Sequence, residues 1–308
     1  EHGFRKVLKN RKGNVVDDLQ EIQIPVDGKD VILSLDKRLQ YASYKALEKA
    51  VEKHAALSGS AVLINARTGE VLAMSNYPSF NPNTSRSAQR SKYIKNRVVT
   101  DIFEPGSTLK PLTVSAALKN NSVTPSTLID TAKGFYRVGK RLTVRDTHAN
   151  GIISVKEVVQ KSSNIGTTHI VEGLEKKYLW SMLNSFGMGT KTGIQYPGEV
   201  TGKIHHYEDW GETERATISY GYGISSTLIQ LAQAYTVFAN DGVIKPISLF
   251  KEEGLVIGRR VIDKKTSHEM LQILESVVTE GTAPYAKVKG YRVAGKTGTT
   301  KKLDMNGG

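Results

Sequence analysis

Glu104-Pro105-Gly106-Ser107-Thr108-Leu109-Lys110-Pro111 is the stretch on which the reading of this chain turns. Pro105-Gly106 break the chain, and Thr108 to Leu118 then fits a helix, with Pro111 tolerated in the first turn. Residues i and i+3 share a face of such a helix, so the Lys110 amine can approach the Ser107 hydroxyl. The helix N-terminus also favours negative charge developing there. A free hydroxyl is a poor nucleophile at neutral pH, and a lysine serves as its base only when burial or nearby cations lower its pKa. Ser-x-x-Lys also begins at Ser34 and Ser248, both in strand-like segments. Taken alone, Ser107 reads more readily as an ordinary helix N-cap.

Two downstream motifs alter that weighing. Lys161-Ser162-Ser163-Asn164 offers a second hydroxyl for a proton relay and an amide, on Asn164, able to hold a substrate carbonyl. A polar helix end is its plainer reading, and Ser79-Phe80-Asn81 is a decoy in a proline-flanked loop. Tyr291 to Gly298 reads as a strand ending in Lys296-Thr297-Gly298, followed by Thr299. A strand edge aligns an extended peptide, Lys296 and the threonines attract its carboxylate, and Gly298 leaves room for close backbone approach. Lys161 and Lys296 are the cations expected to press on Lys110. A second Lys-Thr-Gly, Lys191-Thr192-Gly193, falls in a loop after a helix. In this order the three motifs describe acyl transfer through a covalent serine ester.

Gly290 to Thr297 also satisfies G-x-x-x-x-G-K-T, the phosphate-binding loop of NTPases. That loop needs a strand before it, a flexible interior and a helix after the lysine. Here the interior is itself strand-like and 11 residues follow Thr297. The seven histidines lack metal-ligand spacing, and His205-His206 reads as a solvated loop. Gly221-Tyr222-Gly223 is either a close-packing turn or part of a cleft.

The chain has 308 residues, more than one average domain, and its 39% apolar content suffices for a packed core. A net charge of +13 favours an anionic partner or surface, or is an unspecific solvated face. The lack of cysteine excludes disulfides, thiolate metal sites and cysteine catalysis within this chain. No apolar run approaches the roughly 18 residues of a spanning helix.

The first stretch, to Asp30, is polar and turn-rich, and reads as short strands or an arm outside the core. Val31 to Leu35 is strand-like, and Asp36 can cap a helix with an apolar face from Leu39 to Val51. Ala61 to Ile64 and Val71 to Met74 flank Arg67-Thr68-Gly69 as a β-hairpin. Asn76 to Asn96 is a polar loop, and Asn120 to Gly151 an inserted hairpin region. Ser154 to Glu157 is a capping box. Further helices fit Lys176 to Phe186, Leu228 to Ala239 and Lys264 to Thr279. The chain ends in loop-type residues, Asn306 to Gly308. Mixed helices and strands with one clear hairpin argue for an α+β fold, an antiparallel sheet flanked by helices.

At Glu104 to Pro111, Lys161 to Asn164 and Gly295 to Thr299 the chain resembles the penicillin-binding proteins, specifically the class B peptidoglycan transpeptidases. Asn96-Arg97, Asp101, Arg215-Ala216-Thr217 and Tyr220 to Gly223 are most similar to the division-specific, septal member of Gram-negative bacteria. The resemblance implies the penicillin-binding/β-lactamase-like transpeptidase fold over 31–308, cut short at the C-terminus, with 1–30 a remnant of an N-terminal pedestal. It implies that Ser107 attacks the D-Ala-D-Ala terminus of a stem peptide, with Lys110 as base. Ser162 would be the proton relay, and Asn164 would hold substrate and support Lys110. Lys296, Thr297, Gly298 and Thr299 would bind the substrate carboxylate, and the Ser107 and Thr299 N–H groups would form the oxyanion hole. β-Lactams would acylate Ser107. Division-machinery membrane proteins would be partners at the periplasmic face of the inner membrane. Neither a cofactor, a metal nor a nucleic acid is implied.

A serine β-lactamase or a D,D-carboxypeptidase of the same superfamily is the alternative, and a non-catalytic cell-wall scaffold is one of another class. A class A β-lactamase carries Glu-x-x-Leu-Asn for deacylation, whereas this chain has Trp180-Ser181-Met182-Leu183-Asn184. Slow deacylation is therefore expected.

Overall fold

The computed structural model describes residues 2, 4–24, 26–81, 83, 93–140 and 142–300, which fall into two units, 1–33 and 34–308. In the first unit, β1 (Phe4–Lys9) and β2 (Val15–Gln23) pair antiparallel. Their turn is held by the Asn10 side chain, which accepts from the N–H groups of Lys12 at 2.9 Å and Asn14 at 3.1 Å.

The second unit opens with α1 (Lys37–Lys53), capped as expected by the Asp36 carboxylate, which accepts from the N–H of Arg38 at 2.8 Å and of Leu39 at 3.2 Å. The expected hairpin follows as β3 (Gly59–Ile64) and β4 (Val71–Tyr77). Gln40 of α1 clamps it, donating to Met74 O and accepting from Met74 N–H. Val31 to Leu35 departs from expectation. It forms no regular strand, because Val31 and Ile32 are each 65% exposed and alternation has no core face to bury. Next comes α2 (Arg97–Thr100), capped by Asn96. Most of the polar loop before it, 82 and 84–92, lies outside the described residues.

One 3-10 turn, Gly106–Thr108, leads into α3 (Lys110–Lys119), where every residue from Lys110 to Leu118 is buried. A helix enclosed all round must be surrounded by others. The inserted region comes next: β5 (Leu128–Asp130) pairs with β8 (Ile152–Ser154), and between them β6 (Phe135–Val138) pairs with β7 (Leu142–Arg145). Ser154 and Glu157 form the expected capping box of α4 (Val155–Gln160). Then follow α5 (Asn164–Glu172), α6 (Lys176–Ser185), α7 (Glu212–Ser219) and α8 (Leu228–Ala239). A short pair, β9 (Val243–Ile244) and β10 (Arg259–Arg260), precedes α9 (Lys264–Thr279). Helices α4, α5, α6 and α9 all touch α3. Their apolar faces, including Leu112, Ile170, Leu183, Phe186 and Ile273, form the main core. A smaller cluster of Val71, Val98, Ile194, Ile229 and Ile247 joins the β3–β4 hairpin to α8.

All strand ladders among the described residues are two-stranded and antiparallel. The strand expected over Tyr291 to Gly298 is absent: the segment is irregular, joined to α9 by Gly295 N–H on Leu274 O at 3.1 Å. A strand exists only beside a partner that takes its N–H and C=O groups, and no described strand runs alongside. Residues 301–308, including the expected terminal loop, lie outside the described set.

Candidate active site

The Pro105-Gly106 break serves to bend the chain sharply onto α3. Gly106 has φ +54°, Gly106 N–H donates to Gly221 O at 3.0 Å, and Tyr235 OH donates to Thr108 O at 2.7 Å. Ser107 is thereby presented half-buried at the mouth of a cleft of about 260 Å³, whose lining includes Ser162, Asn164, Thr297, Gly298 and Thr299. The three motifs, spread over nearly 200 residues of sequence, thus meet at one cleft.

Beneath it the Lys110 side chain is fully buried, and its Nζ donates to Ser162 O at 2.5 Å and Ser162 Oγ at 3.3 Å. Lys296 Nζ donates to the same Ser162 Oγ at 2.9 Å and to Thr297 O at 3.0 Å. One hydroxyl therefore bridges two amines. Burial, and after it the Lys296 ammonium, push the Lys110 amine well below the ordinary lysine range, with Asp146 opposing. Burial lowers Lys296 to about 8. Lys161 lines the cleft but is ion-paired with Glu157 at 3.1 Å, so of the two cations expected to press on Lys110 only Lys296 does.

Asn164 reaches the cleft, but its amide Nδ2 donates to Arg145 O at 3.0 Å; the hydrogen bonds of Lys110 go to Ser162 rather than to Asn164. Thr297 Oγ1 lies 3.1 Å from Thr282 Oγ1, and Tyr222 OH donates to Thr299 O at 3.4 Å. Gly298 lies hard against the nucleophile turn, since a Cβ there would stand 2.8 Å from Thr108 Cγ2 and 3.1 Å from Pro105 O. Among the described residues, neither the Ser107 nor the Thr299 backbone N–H has an acceptor. Two free donors beside a hydroxyl and a low-pKa amine can stabilise an oxyanion as it forms.

The decoys lie elsewhere. Ser34 Oγ donates to Val71 O, Ser248 Oγ to Phe250 O, and Thr192 binds Glu199. No helix follows Lys296 among the described residues, so the phosphate-loop reading lacks its anion site. His206 packs on Trp180 and Tyr207. Motif reading missed Asp146 and Thr282, which have no fixed sequence spacing to the motifs, whereas Tyr222 lies in the Gly221-Tyr222-Gly223 turn already singled out.

The Gly221 turn is a close-packing turn and a cleft wall at once. Gly221 has φ +90°, and a Cβ there would stand 2.1 Å from Gly106 O. Gly221→Ala is expected to cost about 3 kcal/mol, combining overpacking with left-handed strain. Thermal unfolding checks this, and an unshifted Tm would refute the packing argument.

Residues 59–308 match the family model described as the penicillin binding protein transpeptidase domain. A probable peptidoglycan D,D-transpeptidase PenA of Neisseria flavescens is 39% identical over all of this chain and 76% of its own length. The peptidoglycan D,D-transpeptidase FtsI of Escherichia coli is 37% identical over 99% of this chain, which spans about half (51%) of that relative. Among solved structures, the transpeptidase domain of Burkholderia pseudomallei penicillin-binding protein 3 superposes with TM-score 0.82 at 41% identity, covering 92% of this chain and 81% of that one.

Proposed function

The chain belongs to the penicillin-binding protein transpeptidase family, and from that premise we propose that it crosslinks peptidoglycan stem peptides through an ester on Ser107. Ser107 Oγ attacks the carbonyl carbon of the penultimate D-Ala as its proton passes to neutral Lys110. The oxyanion rests on the N–H groups of Ser107 and Thr299. The amide C–N bond then breaks, and a proton delivered through Ser162 leaves with the amine of the terminal D-Ala. An amine of a neighbouring stem attacks the ester, forming the new amide and returning the proton to Ser107. Lys296, Thr297 and Thr299 hold the terminal carboxylate, with Gly298 giving the backbone room, and Asn164 steadies the peptide. The observation that carries this reading is the Lys110–Ser162–Lys296 chain of amine, hydroxyl and amine beside Ser107.

Two expectations for the whole protein follow as part of the proposal: action in septal wall synthesis with division-machinery partners, and a place at the periplasmic face of the inner membrane. No described helix is long and apolar enough to cross a membrane. The proposed boundary sets a pedestal remnant over 1–30 against a transpeptidase domain over 31–308.

Trp180 packs on His206 and Tyr207 in α6, and no carboxylate lines the cleft among the described residues. The carboxylate that Glu-x-x-Leu-Asn would supply for deacylation is therefore not found at the cleft among the described residues. Nitrocefin should give a burst of about one equivalent and then far slower turnover, the mark of an accumulating acyl-enzyme. Sustained turnover at the burst rate would instead make the protein a β-lactamase. Release of D-Ala from a pentapeptide, coupled to amide formation when an acceptor amine is present, distinguishes transpeptidation from carboxypeptidation.

A further inference from the structure

We propose that Asp146, in the loop after β7, is a positioning residue whose carboxylate locks the Ser162–Asn164 turn so that Ser162 offers both its carbonyl and its hydroxyl to Lys110. The inference rests on the reading of the cleft just given. Ser162 sits at φ +62°, a left-handed conformation that is strained for a non-glycine residue and persists only where its surroundings hold it. That conformation turns both oxygens of Ser162 onto one lysine.

Asp146 supplies the hold. Its Oδ2 accepts from Ser163 Oγ at 2.5 Å, and its Oδ1 accepts from the N–H of Asn164 at 2.6 Å and of Ile165 at 3.1 Å. Ser163 Oγ in turn accepts from Gly166 N–H at 2.8 Å. Three of the four orphan donors at the start of α5 are thus satisfied by two side chains. The position of Asp146 is itself fixed, because its own N–H donates to Gly134 O at 3.1 Å at the base of the β6–β7 hairpin. The inserted hairpin is therefore tied to the relay turn through this carboxylate, and beside it through Asn164 Nδ2 on Arg145 O.

The charge matters as well as the shape. The groups facing Lys110 are Lys296 from the 295–298 segment and Asp146 from the β7 loop, while Lys161 at the end of α4 is neutralised by Glu157. Asp146 is the one that favours the Lys110 ammonium. Asp146→Asn keeps Oδ1 for the two amides, removes the charge, and replaces the acceptor of Ser163 Oγ by a donor, so that the bond to Ser163 must reverse, with Nδ2 donating to Oγ. Asp146→Ala removes the clamp.

The experiment is acylation by a fluorescent penicillin over a pH series, with thermal unfolding of each variant and Ser107→Ala as the blank. Asp146→Ala is expected to acylate about 10²-fold more slowly than wild type on the plateau, the usual cost of displacing a catalytic group by about an ångström, with its acid limb also moved to lower pH because the charge is gone. Asp146→Asn is expected to keep most of the plateau rate while the acid limb of its profile moves to lower pH, because neutral Lys110 then persists further down. Ser163→Ala, which loses one of the three bonds to Asp146 and the Gly166 N–H bond but keeps the charge, should slow acylation with the limb unmoved. Should Asp146→Ala fail to fold, the Asn and Ser163 variants still decide the matter. Wild-type rates in Asp146→Ala, or an unmoved limb in Asp146→Asn, overturn the assignment. A wild-type protein that never labels refutes the acyl-enzyme reading instead, so the two failures are distinct.

Discussion

Ser107→Ala should abolish covalent labelling by a fluorescent penicillin while leaving the melting temperature essentially unchanged. Removing a nucleophilic serine from an acyl-transfer site typically costs about 10⁶-fold, which here means no detectable band. The cleft holds other hydroxyls, on Thr147, Ser162, Thr282, Thr297 and Thr299, so the expectation is a real test. Ser162 cannot take over readily, because its Oγ is engaged by the amines of both Lys110 and Lys296. Thr297 Oγ1 is engaged with Thr282 Oγ1. Ser107 alone combines cleft exposure, the start of a buried helix and its own free N–H. A labelled Ser107→Ala protein, with the adduct mapped to Ser162, would move the nucleophile and remove the support for the mechanism. The half-buried side chain loses one oxygen and no hydrogen bond among the described residues, so stability has little reason to fall.

Helices α1, α3, α4, α6, α8 and α9 were legible because their signals are local, whereas α2, α5 and α7 were not foreseen. Asp36 and Ser154 cap where their side chains imply, and Leu228 to Ala239 and Lys264 to Thr279 match the apolar pattern to the residue. The β3–β4 hairpin was legible for the same reason, since alternation and turn lie within twenty residues. Tyr291 to Gly298 misled because β-branched and aromatic residues state a preference, whereas a ladder needs a partner from elsewhere. In the cleft, the motif residues were readable by type and order. What was not readable was which of them touch. The bridge from Lys110 to Lys296 runs through Ser162 because of a single left-handed φ, a backbone feature with no residue signature at a serine. Asp146 was invisible because a carboxylate before a helix has no fixed offset when an inserted hairpin delivers it. Fold class and family were thus available from pattern, and the wiring of the site was not.

Lys110→Met should separate catalysis from stability, because the amine that the reaction needs is one the fold would be better without. Methionine nearly matches the side-chain volume, and the lost amine is a buried donor whose charged form is disfavoured. The folded pKa lies well below the unfolded value of 10.5, so between them the unfolded chain binds more protons and wild-type stability falls as pH drops through that window. The variant lacks this titration and should melt no lower than wild type at pH 7, with a weaker loss on acidification. Penicillin acylation should fall about 10²–10⁴-fold, the usual contribution of a positioned general base. In wild type the rate should decline on the acid side as Lys110 gains its proton, and again above pH about 8 as Lys296 loses the charge that attracts a substrate carboxylate. The variant should lose the acid limb and keep the alkaline one. Acylation within tenfold of wild type, with the acid limb intact, would mean that another group accepts the Ser107 proton. Among the described residues Lys296 is hydrogen-bonded into the cleft through Ser162, and were it the acceptor the two limbs would collapse into one.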